Sequence, residues 1–213
     1  SRRKFMALQR AFGLITALIL PLVSCARTPD AVGPAEIDVA GSAERMLEAY
    51  DADDSGSLSR EEAAACSGFA SQFGRYDINQ DNQATRDEII ARFRSWAADD
   101  VGIMRVGCRV LLDGRPLAGG HVVFQPQPFL GVALKRAVGT TNEHGQCSLS
   151  VSPEDLPAAL QRVRGVQPGL YVVRITHQQV DVPTQYNSDS TLGIEVAGDA
   201  IGPDGVEFAL STR

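Results

Sequence analysis

Oxygen-bearing side chains recur at alternate positions in two short stretches of this 213-residue chain, and that spacing limits the chemistry open to them. The stretch DADDSGSLSREE, residues 51–62, places Asp51, Asp53, Ser55, Ser57, Ser59 and Glu62 at its positions 1, 3, 5, 7, 9 and 12. A hard cation such as calcium takes about six to eight oxygens at about 2.3–2.6 Å. A twelve-residue loop offers them from those positions, the seventh through its backbone carbonyl. Position 6 must turn with positive φ, and Gly56 stands there. Position 8, normally aliphatic because it pairs with a partner loop, is Leu58. The pattern recurs 26 residues later as DINQDNQATRDE, residues 77–88, with Asp77, Asn79, Asp81, Gln83, Thr85 and Glu88 as donors. Here Asn82 replaces the glycine, which asparagine tolerates better than other residues. Ala84 replaces the aliphatic residue, so the second loop is expected to bind less tightly.

Helices have to enter and leave such loops. Leu47 and Tyr50 precede the first loop at the offsets at which Phe73 and Tyr76 precede the second, the i, i+3 spacing of a buried helix face. Residues 63–69 and 89–96 read as the exiting helices. Only 14 residues, 63–76, separate the loops, and Gly68 and Gly74 interrupt them, so each helix there is about two turns at most. Phe93 and Trp96 read as core, and Cys66 as a small buried hydrophobe. The loops and their flanks resemble the EF-hand family in a compact bacterial form. The resemblance implies two bound calcium ions, the second held more weakly, in a structural more than a signalling role. Three carboxylates per site put the expected affinity in the extracellular range, roughly 10⁻⁴–10⁻³ M.

Charge supports a cation and disfavours nucleic acid. Formal net charge is −6, but residues 36–100 hold 15 acids and 6 bases, whereas 101–213 hold 10 and 9. Phosphate contacts need a basic face, so this chain is a poor candidate for binding nucleic acid. His121, His144 and His177 are scattered, and no nucleophile elbow, phosphate-cradling glycine loop or His-Glu-x-x-His occurs. A non-enzyme is expected.

Residues 1–24 read as a signal peptide: Arg2, Arg3 and Lys4 lead into a 13-residue apolar run, 11–23. That run is too short to span the roughly 30 Å of a bilayer core. It ends in Leu22-Val23-Ser24-Cys25, which resembles a bacterial lipobox and implies lipidation of Cys25, with several acyl chains giving firm anchoring. Export by the general or the twin-arginine route stays open. Residues 25–41, rich in Ala, Pro and Gly, read as the lipidated cysteine and a flexible tether.

After residue 100 the pattern changes to alternation. Strands are expected at 104–112, 121–125, 137–141, 146–151, 170–177, 191–197 and 206–210, separated by glycine-rich turns. A short surface helix is expected within 152–166. The runs VGCRVLLDGRPLAGGHVVFQP, TTNEHGQCSLSV, PGLYVVRIT and PTQYNSDSTLGIEV resemble the carboxypeptidase-regulatory-like (transthyretin-like) sandwich of bacterial surface lipoproteins. That resemblance implies a binding or structural module without catalytic residues. Cys108 and Cys147 fall on inward phases of their strands, as a disulfide or as two buried thiols.

The expected architecture is α+β in separate domains: an EF-hand pair at 42–100 and an antiparallel seven-stranded β-sandwich at 101–213. The expected function is calcium binding by a lipid-anchored, extracytoplasmic protein of periplasm or cell surface, with a structural or interaction role. The alternative is a carbohydrate- or envelope-polymer-binding module in which calcium is only structural. Partners would be the membrane and an envelope protein or polysaccharide, not nucleic acid.

Overall fold

The computed structural model describes residues 33, 35–98 and 101–212. The segment expected to be a signal peptide, Cys25 and most of the expected tether lie outside the described residues. Helix α1 (Val39–Tyr50) begins where the Asp38 carboxylate accepts a hydrogen bond from the Gly41 N–H at 3.0 Å, a side-chain N-cap. The tether expected to run to residue 41 therefore ends sooner, and Ala35, Ile37 and Val39 already pack against the helical core. Three one-turn helices follow: α2 (Arg60–Ala63), α3 (Ser67–Ala70) and α4 (Phe73–Tyr76). The last and longest is α5 (Arg86–Ala98).

The first exiting helix differs from the expected 63–69. Ser59 and Glu62 form a reciprocal capping box that starts α2 inside the loop, at Arg60. The chain then turns at 64–66 and restarts as α3, although three successive alanines favour continuation. Tertiary packing supplies the reason. A Cβ at Gly68 would lie 2.9 Å from the Ile194 carbonyl oxygen, and one at Gly193 would lie 2.4 Å from the Gly68 nitrogen. Two glycines thus let α3 rest directly on the backbone of the sheet, and a continuous helix would not deliver Gly68 there.

Strands β1 (Ser57–Ser59) and β2 (Gln83–Thr85) form a small antiparallel ribbon between the loops. The remaining strands are β3 (Val106–Leu112), β4 (Arg115–Pro116), β5 (His121–Pro126), β6 (Ala137–Thr140), β7 (Gln146–Val151), β8 (Gly169–Thr176), β9 (Gly193–Val196) and β10 (Val206–Leu210). They make one eight-stranded sheet in the order β10-β3-β7-β6-β5-β8-β9, with β4 paired to β3. Phe124 on β5 and Phe208 on β10 are four places apart along that order, yet their rings meet edge to face at 6.2 Å. The sheet is therefore curled so that its inward residues share one core.

All seven expected strands are present near their expected bounds, and β4 is an addition. Pairing is antiparallel except between β10 and β3, which run parallel, a correction to the wholly antiparallel expectation. No helix forms within 152–166. Pro153 opens a single 3-10 turn, Pro153–Asp155, and Pro157 prevents its continuation. Cys108 and Cys147 are free thiols on facing positions of β3 and β7, so the bonded alternative is not what the structure holds.

The helices do not close a core of their own. One buried cluster joins Met46, Phe69, Phe73, Tyr76, Ile89 and Phe93 to Phe129, Leu130, Leu134 and Leu170 from the sheet segment. Phe93 stacks on Phe129 with ring centroids 6.4 Å apart. Alternation explains how the sheet serves two cores. On β8, Tyr171, Val173 and Ile175 face the inside of the curl, while Leu170 faces the helices. The one-turn helices pack Phe69 on Phe73 and Tyr76, and the segment after β5 (Phe129, Leu130, Leu134) with Leu170 of β8 completes the cluster. The packing is thus continuous rather than split between two independent domains. Among the described residues no helix is long and apolar enough to cross a membrane.

Candidate metal centre

The two twelve-residue loops adopt one conformation twice. In the first, the Asp51 carboxylate accepts from the Ser55 N–H at 3.0 Å and the Gly56 N–H at 2.8 Å. In the second, Asp77 accepts from the Asp81 N–H and the Asn82 N–H, both at 3.0 Å. Glu62 closes the first loop, taking the Ala52 N–H at 2.8 Å and the Ser59 hydroxyl at 2.7 Å. Glu88 repeats this with the Ile78 N–H at 3.0 Å and the Thr85 hydroxyl at 2.7 Å. Backbone turns match as well. Position 4 is left-handed at Asp54 (φ 57°) and Gln80 (φ 61°), and position 6 at Gly56 (φ 81°) and Asn82 (φ 64°).

The ribbon fixes the loops against each other. Leu58 pairs with Ala84, flanked by Ser57 with Thr85 and Ser59 with Gln83. Both central residues are fully buried, so the shorter alanine still completes the ladder. The Ser57 hydroxyl donates to Gln83 Oε1 at 3.0 Å across it. A ribbon of three pairs with buried centres holds one loop at a fixed distance from the other.

Asp51, Asp53 and Glu62 each offer a carboxylate oxygen, and these oxygens lie within 4.8 Å of one another. At about 4 Å, like charges repel by about 1 kcal/mol in water and about 4 kcal/mol at an effective dielectric of 20. Backbone and hydroxyl donors hold them together. Hydrogen bonds from the Ser59 N–H first, then the Ser59 hydroxyl and the Ala52 N–H, keep the Glu62 carboxyl below the usual carboxylate range. Burial pushes Glu88 up, but hydrogen bonds from Thr85, Asn79 and Ile78 outweigh it and leave Glu88 lowered too. Every inward group of the first loop is a hard oxygen donor, which fits calcium or magnesium and offers nothing to a soft metal.

The second loop is built differently at its third position. Asn79 Nδ2 donates to Asp81 Oδ2 at 2.8 Å while Asn79 Oδ1 accepts from the Asp81 N–H at 3.1 Å. Among the described residues, a close carboxylate triad is formed only by the first loop. Thus Asp51, Asp53 and Glu62 come together as expected, with Ser55, Ser57 and Ser59 lining the same loop. Asp77, Asn79, Asp81, Gln83, Thr85 and Glu88 share the loop conformation without that cluster.

The turn geometry yields a local test. A Cβ at Gly56 would meet nothing within 4 Å, so the cost of adding one is conformational alone. Gly56→Ala is expected to destabilise by about 1–2 kcal/mol, the usual left-handed penalty. Asn82→Gly is expected to stabilise slightly or leave stability unchanged. Paired thermal melts check both, and an unchanged melt for Gly56→Ala would contradict the turn.

A second polar cluster escaped the sequence reading. Glu195 on β9 is buried, and its Oε1 accepts from Trp96 Nε1 (2.7 Å), Arg92 Nε (2.9 Å) and the Tyr76 hydroxyl (3.1 Å). Asp199 then takes both Nη atoms of Arg92 at 2.9 Å and also pairs with Arg75. The only local signal was a charge inside the apolar run Ile194-Glu195-Val196. This cluster ties both helices flanking the second loop to the sheet.

No family model and no curated protein matches the chain. Of the solved structures, a 9R-lipoxygenase from Cyanothece PCC8801 aligns over 82% of this chain and 24% of its own. Identity is 11% and the TM-score is 0.26, a likeness too slight to bear on fold or function. The chain thus spans about a quarter of that protein's length.

Proposed function

We propose that this chain is a calcium-binding protein of the EF-hand type whose helical lobe is built onto a curled, carboxypeptidase-regulatory-like sheet. The observation that carries this reading is the repeat of one loop conformation at 51–62 and 77–88, joined by the Leu58–Ala84 ribbon. Asp51, Asp53, Ser55, Ser59 and Glu62 would hold the first ion through side-chain oxygens, and Ser57 through its carbonyl. Asp77, Asn79, Asp81, Thr85 and Glu88, with the Gln83 carbonyl, would hold a second, weaker one. Calcium would supply the positive charge that lets these carboxylates stay close.

The role is structural or one of interaction rather than catalytic. The lipobox at Cys25 supports anchoring outside the cytoplasm, where calcium is abundant enough for millimolar sites, and the sheet would present a surface to an envelope partner. Calorimetric titration of the chain with calcium is expected to show two binding events. Glu62→Gln should remove the tighter and Glu88→Gln the weaker. A titration without heat for the unsubstituted protein would refute the reading.

A further inference from the structure

Cys108 and Cys147 stand directly opposite each other on neighbouring antiparallel strands. Two residues after Cys108 and two before Cys147, the Val110 N–H donates to the carbonyl of Gly145, just ahead of β7, at 2.8 Å, so Cys108 and Cys147 share that hydrogen-bonded phase of the ladder. Facing residues of this kind have Cα atoms about 5.5 Å apart, inside the roughly 4.4–6.8 Å found for bridged cysteines. Both side chains point to the same face of the sheet, with Val106, Val110, Leu149 and Val151 on the same phases. The two thiols influence each other's titration, Cys108 being raised and Cys147 lowered.

We propose that Cys108 and Cys147 form a reversible redox couple, in which Cys147 exchanges with an external disulfide and Cys108 resolves the adduct into a cross-strand disulfide. The two sulfurs are unequal. Cys108 is buried, whereas Cys147, the second residue of β7, is only half-buried. Gly139 on β6 lies beside it, and a Cβ there would press to 3.3 Å from the Cys147 sulfur, so glycine keeps that flank clear. Interaction with its neighbour Cys108 lowers the Cys147 thiol and raises that of Cys108. The reactive species in exchange is the thiolate, so the accessible sulfur is also the activated one.

The chemistry balances without any group from elsewhere in the protein. The Cys147 thiolate attacks one sulfur of a small disulfide RSSR, forming Cys147–S–SR and releasing RS⁻. Cys108 then loses its proton to solvent and attacks the Cys147 sulfur, releasing the second RS⁻. Two protein thiols are oxidised and one external disulfide is reduced to two thiols. The bond would lie at a seam. Gln146, Cys147, Ser148 and Leu149 pair with β3, whereas Ser150 and Val151 pair with β6, so β7 alone joins the two halves of the curled sheet. Oxidation would clamp that junction independently of any metal at the loops.

The test exposes the reduced, folded chain to oxidised glutathione, quenches with acid and digests with trypsin without reduction. Cys108 falls in the peptide 106–109, Cys147 in 137–162 and Cys66 in 61–75. The expected time course is a glutathione adduct on 137–162 first, then a disulfide linking 106–109 to 137–162, with Cys66 unmodified throughout. In Cys108→Ser the adduct on Cys147 should persist. In Cys147→Ser modification of Cys108 should slow by about tenfold or more, because the remaining thiol is buried. First modification at Cys108, or an unsubstituted protein whose adduct stays on Cys147 without linking, would overturn the proposal. The unsubstituted time course decides the matter even if either serine variant fails to fold.

Discussion

Calcium at about 10 mM is expected to raise the unfolding free energy by about 3–5 kcal/mol. With dissociation constants of roughly 10⁻⁴–10⁻³ M, each site contributes RT ln(1 + [Ca]/Kd), or about 1.4–2.7 kcal/mol. For a folded region of this size, that corresponds to roughly 6–20 °C in Tm. The effect is large because the metal-free loop keeps three carboxylate oxygens within 4.8 Å of one another, a repulsion that a bound cation would remove. Glu62→Gln should remove the contribution of the first loop and leave that of the second. Magnesium should do less, since it prefers six ligands at shorter distance and dehydrates reluctantly. Thermal melts in calcium chloride and in potassium chloride of equal ionic strength measure the difference. Identical midpoints would show that the carboxylates are merely screened.

The loops were legible because every determinant sits within twelve residues. The pattern asks for glycine at position 6, an aliphatic residue at position 8 and a glutamate reaching back from position 12, and the second loop keeps the turn although Asn82 and Ala84 depart from it. Strands were legible for a similar reason, since alternation of buried and exposed residues is a local property. What the sequence concealed depends on contacts between distant segments. The break after Ala63 contradicts local helix propensity and follows from seating Gly68 against Ile194, which no pattern in either stretch announces. The parallel pairing of β10 with β3 joins residues near 108 to residues near 206, and both strands look alike whichever way they run. Arg92 and Glu195 are likewise 103 residues apart. Each reads alone as an ordinary charge, and only the fold reveals that they neutralise each other in a buried place.

That buried pair leads to the other large effect. Arg92→Ala is expected to destabilise the protein by about 3–5 kcal/mol, because it leaves a buried carboxylate without its cation. The arginine side chain is 8% exposed and that of Glu195 is 0% exposed, so water cannot replace the lost partner without opening the helix–sheet contact. Arg92→Lys should recover only part of the loss. A lysine ammonium is a point charge and cannot meet Glu195 through one nitrogen while bridging Asp199 through two others. Glu195→Gln should cost less than Arg92→Ala. An amide oxygen can still accept from Trp96 and Tyr76, and Arg92 keeps its bidentate pair with Asp199. Trp96 is the sole tryptophan and donates to Glu195 directly, so its fluorescence during urea unfolding reports on this contact. A stability within about 0.5 kcal/mol of the unsubstituted protein would place Arg92→Ala among ordinary surface substitutions and disprove the argument. Tyr76 and Arg92 lie on the two helices that flank the second loop, and Asp77 follows Tyr76 immediately. A carboxylate on β9 therefore grips the loop's entrance and exit together, and loosening it should weaken the second calcium event along with the fold.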